Sequence, residues 1–260
     1  MSPVERRRVT VPNWRLVREL FAEGCALVGG LDEVGRGAWA GPVTIGIVVV
    51  EAGCLPKAPR GVRDSKLLAE RARESLYGPL VSWCPAAATG EASPQECDEL
   101  GMTAAQQLAA SRALARLSLQ PEILIVDGKW DYTGHPGARA VIGADATCFP
   151  VAAASVLAKV TRDRQMIAHA PTWPAYGFER NKGYASAAHR AAVASNGMSP
   201  LHRRSWSVCY GTHERGEGAA VVRPGGDSAR REEASAREQP VRHENGPPGE
   251  AGRVFPAPRL

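Results

Sequence analysis

No apolar run in this chain is long enough to cross a bilayer. The longest, TIGIVVV at residues 44–50, stops at Glu51, against the roughly 20 apolar residues that a membrane helix needs. The basic opening stretch MSPVERRRVTVPNW has no apolar segment behind it, so no secretory signal is expected. Aromatic residues are scarce at 6%, although the 44% hydrophobic content is ordinary for a packed core. The six cysteines, at positions 25, 54, 84, 97, 148 and 209, never form Cys-x-x-Cys and never sit near a His-x-x-x-His. That argues against a zinc site and a disulfide scaffold and leaves scattered reduced thiols. These absences together predict a soluble, cytoplasmic protein.

What is present in excess is positive charge, and its placement is uneven. The net charge is +5, yet residues from Glu214 onward carry eight acids and eight arginines, so the whole surplus belongs to residues 1–213. A basic body permits a polyanionic partner without requiring one. The segment 214–260 is rich in Gly, Pro, Ala, Glu and Arg, with Phe255 as its single aromatic, and reads as a disordered tail. Residues 1–26 read as a loose arm followed by a short helix over 13–24, with Trp14, Leu16, Val17, Leu20 and Phe21 on one face. Residues 27–213 are left as one domain.

Within that domain CALVGGLDE and PVTIGIVVV read as two strands joined through Gly35-Arg36-Gly37, antiparallel because the connection is short. The segment LLAERARESLYGPLVSW has helical spacing, and an edge strand is expected around 84–91. A helix should start at Ser93 with Pro94 in its first position and break at Gly101. EILIVDG has the pattern of a buried parallel strand, ARAVIGAD of another strand with an acid at its end, and VAAASVLAKVTRDRQMIAHA of a long helix. Antiparallel strands first, then alternating strand and helix, indicate an α/β domain with a mixed sheet.

Three apolar segments end in acids: Asp32, with Glu33 beside it, Asp127 and Asp145. One acid at a strand end commonly just opens a turn. Several in one domain raise one another's pKa, and such a cluster persists chiefly around a cation. Oxygen donors without His or Cys point to Mg²⁺ or Mn²⁺, and a pair of such ions is the arrangement used on phosphodiesters. Adjacent strand side chains face opposite ways, so using both Asp32 and Glu33 requires a distorted strand, which the glycines at 29, 30, 35 and 37 would permit.

The stretch GLDEVGRGAWAGPV resembles the signature of the ribonuclease HII family. VRDSKLL at 62–68, ILIVDG at 123–128, GADATCFPVAAASVLAKVTRD at 143–163, YGFERNKGY at 176–184 and HRRSW at 202–206 agree with it in order and spacing. The resemblance implies an RNase H-like fold, a central five-stranded mixed sheet flanked by helices with a small helical C-terminal part. It also implies a monomeric endonuclease that uses two Mn²⁺ or Mg²⁺ ions to cut RNA in RNA–DNA hybrids and at ribonucleotides embedded in duplex DNA. By position, Asp32, Glu33, Asp127 and Asp145 match the metal-binding acids. Gly35, Arg36, Gly37 and Tyr184 match the elements that recognise a ribonucleotide at its 2′-hydroxyl and the following deoxy sugar. Ser65 and Lys66 match a phosphate-contacting segment, although Asp64-Ser65 reads equally well as a helix cap. Ser155, Lys159 and Arg162 share a helix face expected either to line the substrate groove or to be a solvated charged face, and His202, Arg203 and Arg204 are candidate phosphate contacts.

Two departures stand out. The family usually has Lys two residues before its fourth acid, where this chain has Gly143, and the tail shows no sliding-clamp peptide. The alternatives are a catalytically silent hybrid-binding protein and a different nuclease or recombinase on the same fold.

Overall fold

The computed structural model describes residues 11–206. The expected loose arm falls almost wholly outside these residues, and the expected tail and Cys209 fall outside them entirely. In chain order the elements are α1 (Arg15–Ala22), β1 (Val28–Val34), β2 (Val43–Val50), α2 (Glu70–Trp83), β3 (Ala86–Ala92), α3 (Pro94–Ala115), β4 (Ile123–Asp127) and β5 (Ala138–Val141). There follow α4 (Ala144–Thr147), α5 (Phe149–His169), α6 (Phe178–Asn181) and α7 (Ala187–Asn196). The strands form one sheet in the order β3-β2-β1-β4-β5. β1 is antiparallel to β2 and parallel to β4, so the mixed sheet and the antiparallel opening pair are as expected.

Sequence chemistry accounts for most boundaries. Every residue of β2 is buried, as a strand covered on both faces must be. α3 begins at a capping box in which Ser93 Oγ accepts the Glu96 N–H and Glu96 accepts the Ser93 N–H, with Pro94 next. The expected break is real: Gly101 has φ +75° inside the helix. α1 is shorter than its periodic pattern, yet Val17 and Leu20 are fully buried and Trp14 stacks on Phe149 at 4.2 Å.

Two apolar layers sandwich the sheet. On one side Val28, Val48 and Ile125 pack with α5 and α2. On the other Leu31, Ile45, Ile47 and Val126 pack with α3. α5 reaches the first side unusually closely. A Cβ at Gly30 would lie 2.3 Å from the Pro150 carbonyl carbon, and one at Gly46 would lie 2.5 Å from the Ala154 carbonyl oxygen. With Ala152, Ala153 and Ala154 fully buried opposite, the helix backbone rests nearly on the strand backbone.

Gly46→Ala should therefore lower stability by about 1–3 kcal/mol, since neither backbone can yield locally. Urea unfolding of the variant against the parent checks this. An unchanged midpoint would mean that α5 can lift off the sheet at no cost.

Candidate active site

The acids collect where β1 and β4 part. The parallel pairing of these strands ends at Leu31 with Val126, which leaves Asp32, Glu33 and Asp127 at the carboxyl edge of the sheet. This is the position at which open α/β sheets place ligand groups. The expected strand distortion is absent: β1 stays in register with β2 through Val34 opposite Thr44. Asp32 keeps the parity of Val28 and Gly30, toward α5, while Glu33 keeps the parity of Leu31, toward α3. Each still reaches the mouth of the sheet because no β4 residue covers either one there.

Asp145 arrives by a different route from the one its sequence context indicates. β5 ends at Val141, and Asp145 sits in the first turn of α4. Gly143 adopts a left-handed conformation at φ +69° and turns the chain. Asp127 Oδ1 accepts the Ala144 N–H at 2.8 Å, so one acid caps the turn that presents the next.

The electrostatics are those of a crowded, poorly neutralised group. Burial raises the Asp32 pKa well above the usual carboxylate value, and repulsion from Glu33, Asp127 and Asp145 adds to it, with Lys66 opposing. Glu33 is raised by burial and by Asp127, and Asp127 by burial and by Asp145. Lys66 Nζ lies 3.2 Å from Asp145 Oδ2. Burial works against this ammonium, but the hydrogen bond and charge of Asp145, with Asp32 and Asp64, hold its pKa above the ordinary lysine value. Among the described residues no three His, Cys, Asp or Glu side chains form a ready-made chelate. The donor chemistry nevertheless fits a hard divalent cation: all-oxygen, with Asp32 and Asp145 buried and Glu33 and Asp127 half-buried, and short of positive charge.

Beside the acids lies the loop that carries Gly35, Arg36 and Gly37. Gly35 is buried at φ +86°, where a Cβ would meet Arg162 Nε at 2.3 Å. Arg36 and Gly37 are exposed. The loop is sewn to the turn before Tyr184: the Trp39 and Ala40 N–H groups both donate to the Gly183 carbonyl, at 2.9 and 3.1 Å. Tyr184 is half-buried, its ring 5.2 Å from the Arg162 guanidinium and 5.4 Å from Lys159 Nζ.

Comparison with known proteins gives this geometry a family. A model of the family Ribonuclease HII matches residues 29–209. The ribonuclease HII of Streptomyces avermitilis is 48% identical over 198 residues, covering 75% of this chain and 84% of that protein. The chain belongs to the ribonuclease HII family. Among solved structures, ribonuclease H2 of Pyrococcus horikoshii superposes with a TM-score of 0.61 at 28% identity, over 70% of this chain and 95% of that one. The ribonuclease HII in the PCNA complex of Archaeoglobus fulgidus gives 0.58 at 27%, over 70% and 94%. The RNase H-like fold is thus established. The chain is an endonuclease with ribonuclease H activity on RNA–DNA hybrids, in a family that uses divalent metal ions.

Several expected substrate contacts turn out to be internal. Arg162 is fully buried and donates to the carbonyls of Pro42, Lys182 and Ala40 at 2.8–2.9 Å. Arg203, also fully buried, donates to Gly41 and Arg36 carbonyls at 2.9–3.1 Å. Neither lines a groove. Both hold the loop around Gly35, because planar guanidinium forks satisfy carbonyls that a tight turn leaves unpaired. Ser155 is buried too, its Oγ accepting the Ser65 N–H at 3.1 Å. Ser65 is 5% exposed, and Asp64 caps its turn by accepting the Lys66 N–H at 3.0 Å, so the cap reading holds. Lys159 pairs with buried Asp163 at 2.6 Å. Lys66 and Arg204 are exposed, the latter's backbone N–H donating to Asp98.

His202 is likewise a core residue, 2% exposed, and its partner is His189, which has no role legible in the sequence. His189 Nδ1 donates to the Tyr184 carbonyl at 2.9 Å, which makes its Nε2 the acceptor. His202 Nε2 then donates across 3.0 Å, and His202 Nδ1 accepts from the N–H and hydroxyl of Ser199. Every nitrogen is used only if both rings are neutral. Burial and the neighbouring ring push the His202 pKa down to about 4. Tyr132 was missed as well: its hydroxyl donates to Glu33 Oε2 at 3.3 Å. It follows an irregular turn, where no periodic pattern marks a side chain as inward.

Two outcomes follow. Arg162→Met should lose roughly 3 kcal/mol or more in urea unfolding, since three buried carbonyls lose their donors, whereas Arg204→Ala should stay within about 0.5 kcal/mol. The folded pKa of His202 lies below that of an unfolded histidine, so protons favour the unfolded chain at low pH. Stability from this pair is full above about pH 6.5 and is lost as pH falls toward 4. His202→Asn should flatten that part of the pH–stability curve, and an unaltered slope would argue against a neutral pair.

Proposed function

We propose that this protein cuts the phosphodiester on the 5′ side of a ribonucleotide, in hybrids and at single ribonucleotides embedded in duplex DNA, leaving 3′-hydroxyl and 5′-phosphate ends. The observation that carries the reading is that four acids from three separate segments, Asp32 and Glu33, Asp127, and Asp145, lie within one another's electrostatic field beside the clamped loop at Gly35-Arg36-Gly37. These acids would hold two divalent cations, Mn²⁺ or Mg²⁺. Such ions supply positive charge that offsets the carboxylates and polarises a phosphodiester and an attacking water.

The chain's own residues account for placement. Arg162 and Arg203 fix the backbone of the loop, so that peptide groups at Gly35–Gly37 are presented without reorganisation when a sugar 2′-hydroxyl arrives. Tyr184, stacked over Lys159 and Arg162, offers its ring to the neighbouring deoxy sugar or base. Arg36 and Lys66, exposed on either side of the acids, are placed to take flanking phosphates. Lys66 also supplies a cation beside the fourth acid, the role that Gly143 cannot fill. The setting this implies is a monomeric cytoplasmic enzyme that removes misincorporated ribonucleotides and primer RNA.

Purified full-length protein, incubated with Mg²⁺ or Mn²⁺ and a labelled duplex carrying one ribonucleotide, should cut once at its 5′ side and stop when chelator is added. Asp145→Asn should lower turnover on the order of a hundredfold or more while duplex binding largely survives. Tyr184→Ala should harm single-ribonucleotide cleavage more than cleavage of long hybrids. A cut insensitive to chelator, or no cut at the ribonucleotide, defeats the proposal.

A further inference from the structure

On the α3 side of the acids the protein carries a cleft whose outer wall, with Gln106, Lys129 and Trp130, has no role in the reading above. Its volume is about 330 Å³, and it runs from Glu33 and Asp127 outward to Lys129 and Trp130. That is the lower end of the range for sites that enclose a small ligand. Three features of its wall point the same way. Trp130 is 43% exposed although it is a large apolar ring, and it stands edge-on to buried Tyr132 at 5.6 Å, which holds its orientation. Gln106, 1% exposed, lines the cleft with its Oε1 accepting no hydrogen bond. A buried amide oxygen left without a hydrogen-bond partner is costly and uncommon. Arg36 and Lys129, both exposed, bring positive charge to the same cleft.

We propose that this cleft is a subsite for one nucleotide of the cleaved strand next to the scissile bond, with the base laid on Trp130, its N–H groups or sugar hydroxyl donating to Gln106, and its phosphate turned outward to Lys129 and Arg36. The inference rests on the functional reading above and extends it. The distribution of charge decides the orientation: the acids at the inner end serve the divalent cations and the scissile phosphodiester, while Lys129 and Arg36 attract the nucleotide's other phosphate. An indole face accepts any base that swings out of the duplex stack, so the subsite adds affinity without sequence preference. A strand bound in this way crosses the mouth of the sheet, from Lys66 on the α5 side to Trp130 on the α3 side.

The test uses full-length protein and a series of ribonucleotide-bearing duplexes, each lacking one base of the cleaved strand near the ribonucleotide. KM and kcat are measured in Mg²⁺, and Kd is measured by fluorescence anisotropy in chelator. With the parent protein, loss of one particular base should weaken binding and raise KM about tenfold. Trp130→Ala should weaken binding of the intact duplex by a similar factor and be nearly indifferent to removal of that same base, the signature of a shared contact. Lys129→Ala should reduce the salt dependence of binding. The proposal is overturned if Trp130→Ala binds every duplex within twofold of the parent, or if its loss multiplies with base removal at every position. Failure of the parent to cut any of the duplexes would instead remove the activity reading, and the anisotropy series would still decide the cleft.

Discussion

The approach of α5 to β1 and β2 across Gly30 and Gly46 is the contact on which the active end of this protein is built. It brings a helix backbone within ordinary van der Waals reach of two strands, so everything α5 carries is held at a set height above the sheet. Successive turns then deliver Ser155 to the Lys66 turn, Lys159 to the underside of Tyr184, and Arg162 to the loop after β1. A side chain at either glycine would displace all three at once. The close packing is therefore inseparable from the geometry of the site.

Two kinds of buried charge sit within this frame, and the contrast between them separates scaffold from chemistry. Arg162 and Arg203 are fully buried cations whose nitrogens meet backbone carbonyls at hydrogen-bonding distance. They are satisfied, and they rigidify the loop. The carboxylates of Asp32, Glu33 and Asp127 are raised in pKa by burial and by neighbouring acids, with Lys66 beside Asp32 and Asp127 and Arg36 beside Glu33 opposing. Burying like charges together costs stability unless positive charge joins them. A hard cation does so in an all-oxygen site, and this is the state in which a family that uses divalent metals would employ them.

The placement of positive charge on the surface follows from the same division. Of the basic residues near the site, those that face inward are spent on the fold, while Arg36, Lys66 and Lys129 remain exposed around the mouth. They lie on both sides of the acids, as a polyanion crossing the sheet edge requires. Lys66 also stands beside Asp145, so a lysine from the β2–α2 connection brings positive charge to that acid. Gly143 instead provides the left-handed turn by which Asp145 enters the cluster.

Much of the architecture was legible in the chain because it depends on local pattern. The fully buried β2 run, the cap at Ser93, the break at Gly101 and the acids of β1 and β4 each carry their meaning within a few residues. The family motifs placed the four acids and the Gly-Arg-Gly loop by order and spacing. Tertiary structure alone decided which charged residues face outward. Arg162, Arg203 and His202 look like groove residues in a one-dimensional reading, yet the carbonyls that hold the two arginines lie as far as 120 to 167 positions away. Local sequence holds no record of such pairings, since burial of a charge is decided by what the rest of the chain places around it. The same reason hid Tyr132 and Gln106, whose neighbours at the mouth of the sheet come together only when β1, β4 and α3 are packed.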